Sequence, residues 1–494
     1  MIEKLKRLIK NSAIYTMGTL LSRATVLISM PVLTRYLSPE EYGILSVVSS
    51  VKGILGFFYN MGLTGSATRH YYDLDSDKQR KSYFSSLFFF LLAAGFLISS
   101  LLITFGEWLL APLLKGEIPF HPYMTIAVWT LFFQPISGLP TSLLRVREQA
   151  PLLITLQTVR AISVMILSIL LVVVAGMDAS GPLLASFLTA LFSSAYLLYY
   201  FLSPYLSLTF RWKAVQESLS FGLPTVSERI GAWVLRRSDR LFLLHFVSLS
   251  AVGIYSVSYS LGFLLSAIGS SIETAWTPFF YAVARDEGEK EAQRIFSHAA
   301  TYYTLVIVSI GLALAVFAPE VFRILAPHRY LAGLPVVPWI ILGSVFEALY
   351  DVPSRGLYLM KKTQWIPVII LTAAAVKAGF NFALIPNWGM MGAAWATLIG
   401  YSAMIAITFY LSQRLYYVPY NYRRMAKIFV AAILVYLTSN WLSPDSLILA
   451  ILIKVTALAS YPMVLWLLGF FEAAELSRMR SAVETLAHYV RTRR

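Results

Sequence analysis

The chain has 494 residues, of which 58% are hydrophobic and only 13% are charged. Soluble globular domains carry about 25% charged residues, so this composition excludes an ordinary soluble protein and indicates one that crosses a membrane many times. The absence of cysteine excludes disulfides and thiolate sites, and the net charge of +15 lies in predicted loops and spans rather than on a nucleic-acid-binding surface.

Fourteen stretches are long and apolar enough to be predicted as membrane-spanning helices. The first follows four basic residues, as in a signal peptide, but it contains Arg23 and lacks a small-residue cleavage motif, so we interpret it as a retained helix. The predicted spans are 11–33, 43–66, 83–105, 120–142, 151–175, 180–202, 217–246, 250–281, 298–318, 333–359, 364–385, 390–412, 425–442 and 447–470.

Basic residues in the predicted loops set the orientation of these spans. Loops on the side of both termini hold most of the 40 lysines and arginines, whereas the opposite loops hold only Arg35, Lys115, Arg323 and Arg329. Because cytoplasmic loops are the basic ones, we predict that both termini are cytoplasmic.

The last predicted segment is an amphipathic tail. Leu476, Met479, Val483, Leu486 and Val490 recur at helical spacing among five arginines. This pattern is typical of a helix that lies on an anionic membrane surface, and a solvated tail is the alternative.

An internal repeat divides the chain. Residues 38–51 and 248–261 are identical at six of fourteen positions, with an offset of 210. Gly181-x-x-x-Ala185 and Gly392-x-x-x-Ala396 have nearly the same offset. We therefore predict an all-α polytopic protein with two pseudo-symmetric six-helix lobes, 1–210 and 211–420, followed by two further helices and the tail in 421–494. Repeats of this kind are typical of alternating-access transporters, with the site between the lobes.

Motifs in both predicted lobes are similar to those of one family. They are Asn-Ser-Ala-Ile-Tyr-Thr-Met-Gly-Thr-Leu at 11–20, Pro-Val-Leu-Thr-Arg-Tyr-Leu-Ser-Pro-Glu-Glu-Tyr-Gly at 31–43, Gly62-Leu63, Arg69, Phe-Gly-Leu-Pro at 221–224, Asp239-Arg240, Val-Gly-Ile-Tyr at 252–255 and Gly-Met-Met-Gly-Ala-Ala at 389–394. Over essentially its whole length, the chain resembles bacterial polysaccharide-biosynthesis flippases of the multidrug/oligosaccharidyl-lipid/polysaccharide exporter superfamily.

This resemblance implies a cargo and a location. The expected cargo is a polyprenyl-diphosphate-linked oligosaccharide, moved from the cytoplasmic to the outer leaflet of the inner membrane. Expected partners are this lipid, membrane lipids, a coupling H⁺ or Na⁺, and polysaccharide polymerase machinery. The resemblance implies no enzymatic activity, no catalytic residue, no cofactor and no metal.

Ten basic residues lie inside the predicted spans, where an unpaired charge is costly and should face a polar cavity or a partner. They are Arg23, Lys52, Arg160, Arg229, Arg236, Arg237, Arg240, Arg355, Lys377 and Lys454. From depth and helical phase we predict that five of them bind the anionic cargo. These five are Arg23, Lys52, Arg229, Arg236 and Lys377. Structural ion pairs between helices are the alternative for each, and Arg160 and Lys454 are expected to reach toward the membrane surface.

Four carboxylates are predicted to couple transport to an ion. Glu347 and Asp351 share a helix face with Arg355, Glu273 lies in the eighth span, and Asp239 flanks Arg240. A buried carboxylate can bind a proton or Na⁺, whereas an intrahelical Asp351–Arg355 pair is the structural alternative.

Two other functions compete with the flippase. A proton- or Na⁺-driven multidrug exporter of the same superfamily would favour an acidic cavity, against the excess of bases over acids in these spans. A membrane glycosyltransferase would need a larger external loop than the one near Gly106–Pro119. The chain has no Walker motif and no Ser-His-Asp pattern that would indicate ATP use or hydrolysis.

Overall fold

The structure is a computed structural model that describes residues 18, 21, 24–442, 446–472, 475 and 477. Every regular element within those residues is helical, and no β-strand is present among them. The all-α, multi-pass part of the prediction is therefore confirmed. Arg23 and the predicted amphipathic helix of the tail lie outside the described residues.

Sixteen helices follow one another along the described chain, and most are longer than five turns. They are α1 (24–36), α2 (Pro39–Asn60), α3 (Leu63–His70), α4 (Asp77–Leu114), α5 (Thr125–Val146), α6 (Ala150–Ile169), α7 (Ser180–Leu197), α8 (Trp212–Phe246), α9 (Leu249–Asp286), α10 (Glu289–Val316), α11 (Ala318–Leu325), α12 (Val337–Leu349), α13 (Asp351–Leu359), α14 (Trp365–Leu415), α15 (Tyr422–Trp441) and α16 (Leu447–Leu467).

Nine helical stretches in the described ranges are long and apolar enough to cross a membrane. Every predicted span after the first overlaps at least one of the sixteen helices. The count of fourteen spans, the lobe boundaries near 210 and 420, and the cytoplasmic location of the termini stay predictions.

The α14 helix contains the predicted eleventh and twelfth spans as a hairpin. At Gly389 the backbone has φ 52° and ψ −128°, a conformation that residues with a Cβ rarely adopt. On either side of it, Gly400 packs against Lys377, and Gly392 packs against Leu384. The two halves of α14 are therefore antiparallel, and Gly389 makes the turn.

The chain forms two compact units, unit 1 with Met1–Pro278 and Glu320–Leu415, and unit 2 with Phe279–Pro319 and Tyr416–Arg494. In unit 1, α8 packs most extensively against α14. In unit 2, α15 packs against both α10 and α16. Arg424 near the start of α15 binds Glu472 and Glu475 beyond α16, each at 2.8 Å.

The two copies of the sequence repeat cross one another in unit 1. Under the 210-residue offset, Pro39 corresponds to Leu249 and Gly43 to Gly253. Gly43 packs against the carbonyl oxygen of Leu249, and Gly253 packs against the carbonyl oxygen of Pro39. A reciprocal contact of this kind is what a local two-fold axis between two copies produces.

At the same end of unit 1, an arginine caps α1. Nη2 of Arg329 donates hydrogen bonds to the carbonyl oxygens of Thr34, Arg35 and Leu37 at 2.8–2.9 Å. The hydroxyl of Tyr330 also donates to Leu37 O at 2.9 Å. The last carbonyl groups of a helix have no partner within the helix, so Arg329 satisfies the end of α1 from the distant segment His328–Val336.

Replacing Gly253 by alanine is expected to destabilise the protein. The new Cβ would overlap with the carbonyl oxygen of Pro39, and backbone on either side must shift to make room. Overpacking of this kind costs about 1–3 kcal/mol, so the thermal unfolding midpoint in detergent should fall by several degrees. Gly43→Ala should behave alike because the contact is reciprocal.

Gly379→Ala is the matched control for this prediction. Gly379 also lies in a helix, but an added Cβ there would meet no heavy atom within 4 Å. Alanine favours helix over glycine, so this variant should unfold at the wild-type temperature or slightly above it. Equal midpoints for Gly253→Ala and the wild type would contradict a tight helix crossing.

Candidate functional site

Unit 1 contains a cavity of about 740 Å³ between its helices. Residues of α1, α2, α8, α9, α12, α13 and α14 line it. Pockets of about 300–1,000 Å³ commonly bind small molecules. The polar lining combines arginines, carboxylates and hydroxyl groups, namely Arg236, Arg237, Arg240, Glu273, Glu347, Asp351, Tyr42, Tyr259, Tyr350, Tyr401, Ser46, Ser49, Ser256, Ser260, Ser266 and Ser270.

Arg236 and Arg240 of α8 line one side of the cavity, and we call this pair the basic wall. Glu347 holds the first of the two arginines. Nε of Arg236 lies 3.0 Å from Oε1 of Glu347 in α12. Ser266 of α9 donates to the other oxygen of the same carboxylate at 2.7 Å. The Arg236 side chain remains 64% exposed, so Glu347 and Ser266 hold it at the cavity surface without covering it.

A buried carboxylate holds the second arginine of this wall. Nη1 of Arg240 donates to Oδ1 of Asp239 at 2.7 Å and to the carbonyl oxygen of Arg236 at 2.8 Å. Its guanidinium carbon lies 4.1 Å from the ring centre of Tyr259, which is cation–π geometry. Arg240 is therefore fixed by hydrogen bonds on one side and by an aromatic ring on another.

Asp239 is fully buried and receives donors from three helices. Besides Arg240, the hydroxyl of Tyr255 in α9 lies 3.0 Å from Oδ2, and Nζ of Lys377 in α14 lies 3.4 Å from the same oxygen. Thr397 of α14 also contacts Oδ2, at 3.5 Å. Lys377 is fully buried too, and its Nζ also donates to Leu235 O of α8. Neither residue lines the cavity.

Arg237 differs from its neighbours because it forms no ion pair with any residue that the structure describes. It is exposed, lines the cavity, and runs its stem past Gly53 of α2. The preceding residue, Lys52, lies within electrostatic range of both Arg237 and Arg160 of α6. Its Nζ approaches Ser186 Oγ at 3.5 Å. We call Lys52, Arg160 and Arg237 the basic corner; none of the three pairs with a carboxylate in the described part of the chain.

The acidic residues that line the cavity lie on α9, α12 and α13. Oε1 of Glu273 lies 2.8 Å from Nη2 of the buried Arg355. The structure therefore pairs Arg355 with Glu273 and not with Asp351, which was the structural alternative from the sequence. Asp351 lines the cavity and makes no ion pair with a described residue. Among the residues that line the cavity, Asp351 is thus the one carboxylate and Arg237 the one base without an ion pair to a described residue.

The structure brings together some of the predicted site residues and separates others. Arg236, Glu273, Glu347 and Asp351 line one cavity, as four of the nine predictions require. Lys52 belongs to the basic corner, whereas Asp239 and Lys377 are buried behind the wall. Arg229 is exposed near Gly65 of α3 and is not part of the lining. The binding and coupling roles of all these residues remain predictions.

Sequence reasoning passed over two features of the cavity. Arg237 and Arg240 line it, although the predicted set of cargo-binding residues contained neither. Four serines of α9 line it as well, and their spacing of four residues within each pair was visible in the sequence: Ser256 with Ser260, and Ser266 with Ser270. Within the described ranges, no group of three His, Asp or Glu residues is placed to hold a metal ion.

A family model described as "Polysaccharide biosynthesis protein" matches residues 32–335. A Haemophilus influenzae protein described as "Lsg locus putative protein 1" is 22% identical over 424 residues, which are 84% of this chain and 94% of that protein. The Haloferax volcanii "Probable flippase AglR" is 28% identical over 169 residues, 33% of this chain and 34% of that protein.

Solved structures share the fold at low identity. The lipid II flippase MurJ in an inward closed conformation matches with a TM-score of 0.76 and 13% identity, covering 92% of this chain and 98% of MurJ. An inward-facing MATE family multidrug resistance transporter of the MOP superfamily matches with a TM-score of 0.64 and 14% identity, over 83% and 96% of the two chains. The family resemblance and the superfamily fold expected from the sequence are therefore confirmed.

Removing Glu347 should destabilise the basic wall. In Glu347→Ala, Arg236 and Ser266 lose their shared acceptor, which should lower the free energy of unfolding by about 1–2 kcal/mol. Thermal unfolding in detergent would measure this loss.

The double variant Arg236→Gln/Glu347→Ala tests whether the loss comes from the ion pair. In the double variant the base is neutral, so no charge is left unpaired. Its loss of unfolding free energy should therefore be smaller than the sum of the losses in the two single variants. Strict additivity would contradict a coupling between Arg236 and Glu347.

Proposed function

This chain belongs to the polysaccharide biosynthesis protein family, and from that premise we propose that it flips a polyprenyl-diphosphate-linked oligosaccharide from the cytoplasmic to the outer leaflet of the inner membrane. The observation that carries this proposal is the basic wall of α8 with the adjoining basic corner. Transporters of different cargo share this superfamily fold, so the fold does not identify the cargo. We therefore base the proposed cargo on the charges that line the cavity.

Arginines suit the diphosphate of such a cargo. A guanidinium is planar, stays charged, and can bond two phosphate oxygens at once. Arg236 and Arg240 are oriented by carboxylates that lie beside or behind them, whereas Arg237 has no carboxylate partner among the described residues. Like charges gathered without a counter-ion raise the local potential for an anion. We therefore propose that the diphosphate binds at Arg236, Arg237 and Arg240, with Lys52 and Arg160 adding to the potential.

The remainder of the cavity suits a glycan. Serine hydroxyls donate and accept hydrogen bonds, and those of α9 follow one face of the helix from Ser256 to Ser270. Tyr259 and Phe263 on the same helix add aromatic surface. Sugar hydroxyls and apolar ring faces need such a mixed wall, which is the usual character of small-molecule sites.

A multidrug exporter is the alternative within the superfamily. A cationic drug would need free carboxylates, and in this cavity Glu347 and Glu273 are already paired with Arg236 and Arg355. Asp351 alone of the three lining acids has no ion pair among the described residues. The balance of unpaired charge thus favours an anionic cargo.

Transport is proposed to proceed by alternating access and to be coupled to an ion. Asp351 is the best candidate for the coupling group, because it faces the cavity and has no fixed cation. Glu273 and Glu347 would change partners only if their arginines moved, so we assign them a secondary role. H⁺ and Na⁺ remain the two candidate ions, and polymerase machinery the candidate partner for the flipped product.

Neutralising the free arginine should slow flipping. We expect Arg237→Gln to lower the rate of undecaprenyl-diphosphate-oligosaccharide exposure in proteoliposomes by about ten-fold or more, the loss of one charge-assisted phosphate contact. The rate is measured by access of an added lectin or glycosidase to the sugar. Arg240→Gln should cause a loss of similar size.

Lys213→Gln is the matched control, because Lys213 lies at the start of the same helix, is 80% exposed, and is remote from the cavity lining. It should flip cargo at the wild-type rate. Flipping by Arg237→Gln at that same rate would refute the binding assignment. Efflux of a cationic dye by wild-type protein that does not flip the lipid would support the exporter instead.

Asp351→Asn tests the coupling. We expect this variant to lose the stimulation of flipping by a pH or Na⁺ gradient, because a neutral amide cannot exchange a proton or balance a sodium ion. In the absence of a gradient, Asp351→Asn should flip the lipid at about the same rate as the wild-type protein does in the absence of a gradient. Retention of full gradient stimulation in Asp351→Asn would show that coupling lies elsewhere.

A further inference from the structure

The interaction between Lys377 and Asp239 has no role in the function proposed above. Both side chains are fully buried, outside the cavity lining, and the pair joins α14 to α8. Sequence alone predicted Lys377 as a cargo-binding base and Asp239 as an ion-coupling acid. We infer that Lys377 is instead a positioning residue, which keeps Asp239 from withdrawing Arg240 from the cavity.

The division of the Asp239 carboxylate between two cations carries this inference. Arg240 contacts Oδ1 at 2.7 Å, whereas Lys377 contacts Oδ2 at 3.4 Å, together with Tyr255 at 3.0 Å. A guanidinium beside a free carboxylate favours a two-bond, fork-to-fork arrangement. Lys377 and Tyr255 occupy the oxygen that such an arrangement would need. Arg240 is therefore limited to one bond with Asp239.

The single bond leaves the guanidinium where it can serve the cavity. All hydrogen bonds of Arg240 to described residues use Nη1, while the group lies over Tyr259 and lines the cavity. Its other N–H groups form no hydrogen bond with a described residue. The side chain is only 10% exposed, so a phosphate would reach these groups from the cavity that Arg240 lines. A two-bond contact with Asp239 would use them and draw the guanidinium off the ring.

Lys377 is itself held so that it cannot follow a ligand. Its Nζ donates to Leu235 O, one helical turn before Asp239, and its stem packs against Gly400 in the other half of the α14 hairpin. Arg240 and Lys377 already neutralise the Asp239 carboxylate, so it has little capacity to bind a mobile ion. Direct cargo contact by Lys377 and ion coupling by Asp239 are both disfavoured by this arrangement.

Two variants separate this role from direct binding. Lys377→Met keeps the length of the side chain but leaves Oδ2 with only the neutral donors Tyr255 and Thr397. Arg240 should then move toward that oxygen and bind undecaprenyl diphosphate about ten-fold less tightly. Adding Asp239→Asn removes the carboxylate that withdraws Arg240. The double variant Lys377→Met/Asp239→Asn should therefore recover most of the wild-type affinity, and it contains no unpaired buried acid.

Binding of undecaprenyl diphosphate to the full-length protein, followed by native mass spectrometry, gives the first readout. Recovery in the double variant supports the inference; an affinity as low as that of Lys377→Met, with all variants equally folded by thermal unfolding, overturns it and indicates direct contact. Asn381→Ala is the control for packing damage, because Asn381 is also buried and its amide bonds, among the described residues, only to Ser238 Oγ. This variant should bind as the wild type does.

A second readout does not depend on the cargo. Phenylglyoxal modifies accessible arginines, and peptide mass spectrometry can follow Arg240 alone. We expect its modification to fall several-fold in Lys377→Met and to return in the double variant. This inference rests on the proposed function only for its binding readout: no lipid binding by the wild type would reject that function, whereas an unchanged reactivity of Arg240 in Lys377→Met would reject the positioning role.

Discussion

The cost of an unpartnered charge at membrane depth governs the interior of unit 1. Three sets of ion pairs neutralise charges there: Arg236 with Glu347, Arg240 and Lys377 with Asp239, and Arg355 with Glu273. Each joins helices that are distant in sequence, so the pairs that neutralise charge also set the positions of α8, α9, α12, α13 and α14 around the cavity. Buried pairs add little net stability over apolar packing, but removing one partner is costly. Their role here is therefore better described as fixing geometry than as strengthening the fold.

The end of unit 1 where the two repeat copies cross is built on a different principle. There the contacts are made by backbone: the reciprocal approach of Gly43 and Gly253 to main-chain oxygens, and the cap of Arg329 on the end of α1. Carbonyl groups released from such contacts can be hydrated by water, and Arg329 can reach solvent. Opening this end would therefore leave no isolated charge in an apolar environment, whereas separating Asp239 from its cations would. A transporter that alternates its access, as proposed above, would need weak points where rehydration is possible and rigid points where it is not. This distribution of interactions would provide both.

Much of this arrangement could be predicted from the sequence, and the failures have identifiable causes. Apolar runs indicated the helices because length and hydropathy are local properties. The spacing of Arg229, Arg236 and Arg240 is compatible with one face of a helix. Spacing says nothing of where along the helix axis a cavity ends, and Arg229 lies outside the cavity lining. Lys377 was assigned to the cargo because its partner could not be seen: Asp239 is 138 residues away. The repeat offset, in contrast, contained tertiary information, since equivalent residues meet where the two copies cross.

The charges that are most conspicuous in the sequence are thus not the ones most available for function. Lys377 lies deep in its predicted span, but in the structure its ammonium group contacts Asp239 and Leu235 O. Arg237, which is not among the predicted cargo-binding residues, forms no ion pair with a carboxylate in the described chain and lines the cavity. Among the bases in the predicted spans, Arg236, Arg240, Arg355 and Lys377 are neutralised by acids. The attraction for the proposed anionic cargo comes from bases that are not. The basic corner meets this condition, and it does so with residues from three helices that no single helical face could have revealed.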